Sequence, residues 1–225
     1  KSDYPDLKVV TVTDYLANAE YFKLKNAKVI NLCRSYRYLS RGYFCSLLAE
    51  ARRHKIMPTV RTLRDLSTKA IYKLETEDLD ELIHKSFKKS RDKHSDRDSI
   101  AIHICFGECD HPLLHELAEE IFDTFRCPVL KVEFRHDMGR WEISSIRALT
   151  LNNLPHEKKE LFINSLDKYT KKRWMTPREK SMPRYDLAIL YNPDEKFPPS
   201  NRAALKNFIR VGKSLDLDVE LTKFC

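Results

Sequence analysis

Between Val29 and Cys45 the chain reads Val-Ile-Asn-Leu-Cys-Arg34-Ser-Tyr36-Arg37-Tyr38-Leu-Ser40-Arg41-Gly-Tyr43-Phe-Cys. Three arginines and three tyrosines fall within ten residues. Arginine is the side chain best matched to a carboxylate or phosphate, because its planar guanidinium donates two parallel hydrogen bonds. An apolar run precedes the cluster and a helical repeat follows it. The cluster is therefore expected on a strand-to-helix turn with its helix starting near Ser40. Free backbone N–H groups and the helix dipole favour an anion there as well. Arg34, Arg37, Arg41 and Tyr43 are candidate substrate- or anion-binding residues. Tyr36 and Tyr38 either stack on a ligand or line the core. The competing reading is a solvated basic turn.

A second candidate lies at the end of the apolar run Tyr185–Tyr191, where Asn192-Pro193 opens a polar loop. Ligands bind open α/β sheets at the carboxyl ends of parallel strands. Asn192, Lys196, Ser200 and Asn201 are placed there. The alternative is a proline-stiffened turn with Ser200 as a helix cap. A third group, His103, Cys105, Cys109 and His111, offers nitrogen and sulfur donors for a tetrahedral zinc ion. All four lie within nine residues and match no zinc-finger spacing. Buried thiols are the expected reading, and no metal is assigned. Cys33, Cys45 and Cys105 have apolar neighbours and read as core thiols, so no nucleophilic triad is assembled. Glu119 and Glu120 read as solvated surface.

The elements that must position these residues follow from periodicity. Residues 7–14 and 28–33 read as strands rich in β-branched residues. Tyr43, Phe44, Leu47, Leu48 and Ala51 recur at helical spacing over about 41–54. Further helices are expected around Leu63–Leu74 and from Thr76, with Leu79, Leu82, Ile83 and Phe87 on one face. Residues 90–98 read as a polar loop. From 99 to 173 the order is β-α-β-β-α: an alternating strand at 99–106, a helix capped by Asp110, a hairpin turning at Asp137–Arg140, and a helix opening at Pro155. Residues 171–183 read as a charged, proline-containing linker. Beyond it, a strand at 185–191, a helix at 201–213 and a strand at 217–221 form a β-α-β unit with parallel strands. The expected fold is α/β: a mixed β-sheet with flanking helices, followed by a partial Rossmann-like unit. Two parallel strands and one helix are too little for an independent domain, so the chain is expected to stop inside a second domain.

Composition narrows the function classes. The chain has 225 residues, 42% hydrophobic, enough to bury a core without staples. No apolar run is long enough for a membrane span, and Lys1-Ser-Asp-Tyr-Pro is no signal region, so a cytoplasmic protein is expected. The missing initiator Met suggests a trimmed chain. Four glycines, at 42, 107, 139 and 212, exclude a P-loop and a dinucleotide-binding turn. A net charge of +8 permits nucleic acid or acidic partners. The basic residues are interleaved with 33 acids, so nucleic acid is allowed but not favoured.

The segment Asn31–Tyr43, together with Val10-Thr-Val-Thr-Asp-Tyr-Leu16 and the Asn192-Pro193 loop, resembles the N-terminal domain of RimK-like ATP-grasp ligases. Residues 1–176 are similar to that accessory domain. Residues 184–225 resemble the opening strand, Asn-Pro loop and helix of the domain that precedes the ATP-grasp core. The resemblance implies a parent enzyme that joins a carboxylate to an amine, glutamate-type, using ATP and Mg²⁺ held by later subdomains. It implies a peptide, protein or amino-acid carboxylate as substrate, packing on downstream ATP-grasp domains, and no catalysis by this chain alone. The rival reading is an RNA- or anionic-ligand-binding module. A transferase built on 99–173 has no visible catalytic constellation.

Overall fold

The computed structural model describes residues 7–69, 72–73, 76, 79–89, 99–171, 185–192, 201–215 and 217–223. The loop expected at 90–98 and most of the linker at 171–183 lie outside them.

The expected strand at 7–14 is replaced by a helix, α1 (Val12–Ala17). Its β-branched residues favour a strand locally, but Thr11 caps the helix, its Oγ1 accepting from the Asp14 N–H at 3.1 Å. Tertiary contact adds to this. The Tyr15 hydroxyl lies 2.7 Å from His54 Nδ1. His54 Nε2 faces the Leu24 carbonyl at 3.1 Å and so carries the proton, leaving Nδ1 to accept from Tyr15. A short helix, α2 (Ala19–Phe22), follows with Asn18 as its cap.

β1 (Lys28–Ile30), α3 (Arg41–Ala51) and β2 (Lys55–Met57) form a β-α-β unit whose strands pair in parallel, Val29 opposite Ile56. The sequence pattern assigns the large residues of α3 to the core. The structure instead buries Gly42, Cys45, Ser46 and Ala49. Phe44, Leu47 and Ala51 face solvent. Small residues win the inner face because β1 and the loop after it approach α3 too closely for larger ones. α4 (Val60–Ser67) is capped by Thr59, and the Glu50 carboxylate accepts from the Val60 N–H at 3.0 Å. α5 (Asp80–Lys89) buries Ile83 and Phe87 as expected, with Leu79 buried just before it and Leu82 partly buried.

The middle of the chain carries the main core. β3 (Ser99–Cys105), the two-residue β4 (Glu108–Cys109), α6 (His115–Thr124), β5 (Val129–Asp137), β6 (Arg140–Ala148) and α7 (Lys159–Lys171) follow the expected β-α-β-β-α order with β4 added. The sheet order is β4-β3-β5-β6. Every pairing in it is antiparallel, with Ile102 opposite Val132 and Val132 opposite Ile146. The mixture of strand directions is thus divided among sheets, parallel at the two flanks and antiparallel in the centre. Met138 and Gly139 both have positive φ, the geometry of a two-residue hairpin turn. Phe87 of α5 stacks on Trp141 at 4.6 Å and meets Phe134 edge-on at 5.0 Å. Phe106 meets Phe162 and Tyr169 of α7. Asp110 does not cap α6: Pro112–Leu114 forms a 3-10 turn first, and the Asp110 carboxylate pairs with Lys158. That ion pair holds the Asp110 carboxyl below its ordinary pKa despite partial burial.

β7 (Tyr185–Tyr191), α8 (Arg202–Ser214) and β8 (Leu217–Lys223) give the expected β-α-β unit, with Leu187 opposite Val219 in a parallel pair. Leu205 and Leu221 form its small core. The unit docks on α4 through charge. Arg61 donates to Asp218 Oδ1 at 2.6 Å and to the Val219 carbonyl at 2.9 Å, and Arg64 donates to Glu220 at 2.8 Å. Half-exposed pairs of this kind contribute about 0–1 kcal/mol each. Replacing Arg61 and Arg64 together with alanine is expected to lower hydrogen-exchange protection in β8 and α8. The unfolding free energy of the antiparallel-sheet core in urea should stay within about 1 kcal/mol of the parent. Unchanged protection in β8 would show that the clamp does not hold the unit.

Candidate functional site

The arginine turn is built around one buried polar side chain, Asn31, at the end of β1. Its backbone N–H donates to the Met57 carbonyl at 2.8 Å, extending the strand pairing by one residue. Its carboxamide Nδ2 donates to the Gly42 carbonyl at 2.8 Å and to Ser46 Oγ at 3.0 Å. Oδ1 accepts from the Cys33 N–H at 3.1 Å, and the Asn31 carbonyl accepts from the Tyr36 hydroxyl at 2.6 Å. Ser46 Oγ in turn donates to the Pro58 carbonyl at 2.7 Å. One asparagine therefore ties together the start of the turn, the first turn of α3 and the segment after β2.

The far end of the turn is fixed by Ser40. Its Oγ accepts from the Tyr43 N–H at 3.2 Å as the cap of α3 and donates to the Ser35 carbonyl at 2.9 Å. The helix start expected near Ser40 is thus found. Gly42 lets the loop lie directly on α3, since a Cβ there falls on the Ser35 carbonyl oxygen and 2.9 Å from Cys33 Cβ. Leu39 takes a positive φ of 61°, and the Ser40 N–H donates to the Arg37 carbonyl at 2.9 Å to close the turn.

This frame directs Arg34, Arg37 and Arg41 into solvent. Among the described residues no hydrogen bond or ion pair engages any of the three guanidinium groups. The tyrosines divide. Tyr36 is a framework residue whose inward hydroxyl is pushed well above the usual phenol range by burial. Tyr38 is exposed and meets the half-buried Tyr43 edge-on at 5.1 Å, and Tyr43 meets Phe44 at 6.0 Å. Behind the turn Cys33 packs against the cluster that buries Cys45. The neighbouring Cys45 thiol lowers Cys33, and the Cys33 thiol together with burial raises Cys45.

The second candidate group is described in part. Asn192 is half-buried just beyond β7. Lys196 and Ser200 lie outside the described residues. Asn201 caps α8, its Oδ1 accepting from the Ala204 N–H at 2.8 Å, so the capping expected of Ser200 falls to its neighbour. In the third group Cys105 and Cys109 are buried, and burial pushes their thiols up to about 12 and about 11. Cys109 donates to the His111 carbonyl at 3.4 Å. His103 is held below its ordinary value by burial, then by Lys158. Among the described residues no three His, Cys, Asp or Glu side chains converge as ligands for a metal ion.

Sequence reading missed Asn31, Ser35, Gly42 and Ser46 as the frame of the turn. The available signal was Asn31 itself, a lone carboxamide inside the apolar run Val29–Leu32. It also missed the Arg61–Arg64 clamp.

The molecule is an α/β protein in which a parallel β-α-β unit presents an unpaired arginine turn beside an antiparallel core. Residues 12–165 match the family of the RimK-like ATPgrasp N-terminal domain. The chain belongs to that family, which associates it with RimK-like ATP-grasp ligases. Comparison with curated proteins finds no match, and comparison with solved structures finds none. No helix among the described residues is long and apolar enough to cross a membrane.

Proposed function

We propose that this chain is the N-terminal accessory region of an ATP-dependent carboxylate–amine ligase and that it recognises the carboxylate-bearing acceptor. The family match over residues 12–165 is the observation that carries this reading. The unpaired guanidinium groups of Arg34, Arg37 and Arg41 give it a contact surface, with Tyr43 beside them. Two charge-assisted contacts contribute about 1.5–3 kcal/mol each, enough to set specificity. The parent ligase is taken to use ATP and Mg²⁺. In this reading both are held by the ligase core, and the chain by itself is not catalytic. The β-α-β unit supports a packing role, because Leu187, Leu190, Phe208 and Val211 leave apolar surface open.

The test uses a ligase carrying this region ahead of its ATP-grasp core. Arg34→Ala with Arg37→Ala is expected to raise KM for the acceptor about tenfold or more and to leave KM for ATP within about twofold. An unchanged acceptor KM, with the fold intact by circular dichroism, overturns the reading.

A further inference from the structure

The outer face of α3 is apolar, and among the described residues nothing covers it. Phe44 and Leu47 on the helix are 36% and 38% exposed, and Tyr38 and Leu39 on the turn before it are 75% and 59% exposed. Tyr38, Tyr43 and Phe44 form a continuous row of edge-to-face rings. Leu39 adds a feature of its own: a γ-branched side chain stands in solvent on a residue held at φ 61°, a region that favours glycine. The exposed Arg34, Arg37 and Arg41 are interleaved with this row in the sequence. The only acid on the helix, Glu50, faces the start of α4, where its carboxylate accepts from the Val60 N–H.

We infer that this face docks a polypeptide segment of another protein in which acidic side chains alternate with apolar ones at helical spacing. Charge complementarity selects the occupant. Unpaired guanidinium groups beside an apolar row call for carboxylates beside apolar side chains. A second copy would set like arginines against one another across a two-fold axis. RNA would use the guanidinium groups and tyrosines but leave Leu39 and Leu47 without a role. The inference rests on reading the turn as an anion grip and adds what bears the anion: a peptide with apolar anchors rather than a free amino acid.

Fluorescence anisotropy with three labelled probes tests it: a helical peptide with leucine and phenylalanine at i, i+3 and i+4 spacing and glutamates beside them, an all-glutamate peptide of equal length, and oligouridine. The mixed peptide is expected to bind about tenfold or more tightly than either other probe, and Arg37→Glu and Leu39→Gly are each expected to weaken it about tenfold. Leu39→Gly is the decisive variant, because glycine suits the positive φ and leaves the fold at least as stable while removing the apolar side chain. Equal binding of the all-glutamate peptide, with Leu39→Gly silent, overturns the inference and leaves the anion grip standing. No binding of either peptide also overturns the inference, and the anion grip is then judged by the acceptor KM alone. Preferential binding of oligouridine, or self-association abolished by Leu39→Gly, assigns the face to a different occupant and also overturns it.

Discussion

Gly42→Ala destabilises the protein by about 2–3 kcal/mol, although helix propensity alone predicts a gain of about 0.5–1 kcal/mol. The two effects have opposite signs, so the experiment discriminates cleanly. Alanine is the best helix former, and Gly42 lies in the first turn of an eleven-residue helix. A methyl group at that site falls on the backbone carbonyl oxygen of Ser35 and crowds Cys33. Backbone atoms do not swing aside as the tip of a lysine would, so the loop must lift from the helix. Lifting it weakens the Asn31 and Ser40 contacts that set the arginines. Urea unfolding reads the stability change, and acceptor KM in the ligase reads the second consequence. A variant as stable as the parent would show that the close approach is not a feature of the molecule in solution.

Asn31→Leu has the second large effect, an expected loss of about 3–4 kcal/mol. Leucine has the same branching and heavy-atom count, so no cavity forms, and its bulkier methyl groups add crowding to the loss. What the change removes is three carboxamide hydrogen bonds, and it leaves the Cys33 N–H without its acceptor. Asn31→Asp refines the test through pH. Aspartate keeps the acceptor for Cys33 but places a second oxygen against the Gly42 carbonyl. The ionised form is disfavoured in the folded state, so the folded pKa rises above the unfolded one. The destabilisation is then fully present at neutral pH and shrinks, relative to the parent chain, as pH falls and the protonated carboxyl recovers a donor. A constant difference between pH 7 and pH 4 would show that Nδ2 donation is not what the site requires.

Much of the architecture was readable from local pattern because its period is strong. Alternation at 99–106 gave β3, and the β-α-β unit at 185–223 fell where apolar runs and helix period placed it. The failures share one cause: a non-local contact outweighs a local preference. At Val12 the capping threonine and the Tyr15–His54 contact convert β-branched residues into helix. On α3 the buried face is chosen by how near the neighbouring backbone comes, and hydrophobicity carries no record of that distance. Asp110 has the composition of a cap, yet Lys158, 48 residues later, takes its carboxylate. The candidate site was legible in its arginines, which are few and closely spaced. Its frame was not, because serine and glycine serve many purposes and only geometry shows which one they serve here.

The clamp between α4 and β8 bears on the order of events during synthesis. Arg61 and Asp218 are separated by 157 residues, so their contact closes only after β8 has left the ribosome. By then the antiparallel core, whose strands are all made earlier, has the residues it needs to fold. Arg61 and Arg64 must therefore spend that interval in water, which arginine tolerates because it remains charged and hydrated. β8 then arrives at a surface already formed. In kinetic terms the clamp is a late docking step, separable from the collapse of the core, and a chain released before Asp218 would retain the arginine turn while lacking the contact that holds β8 to α4.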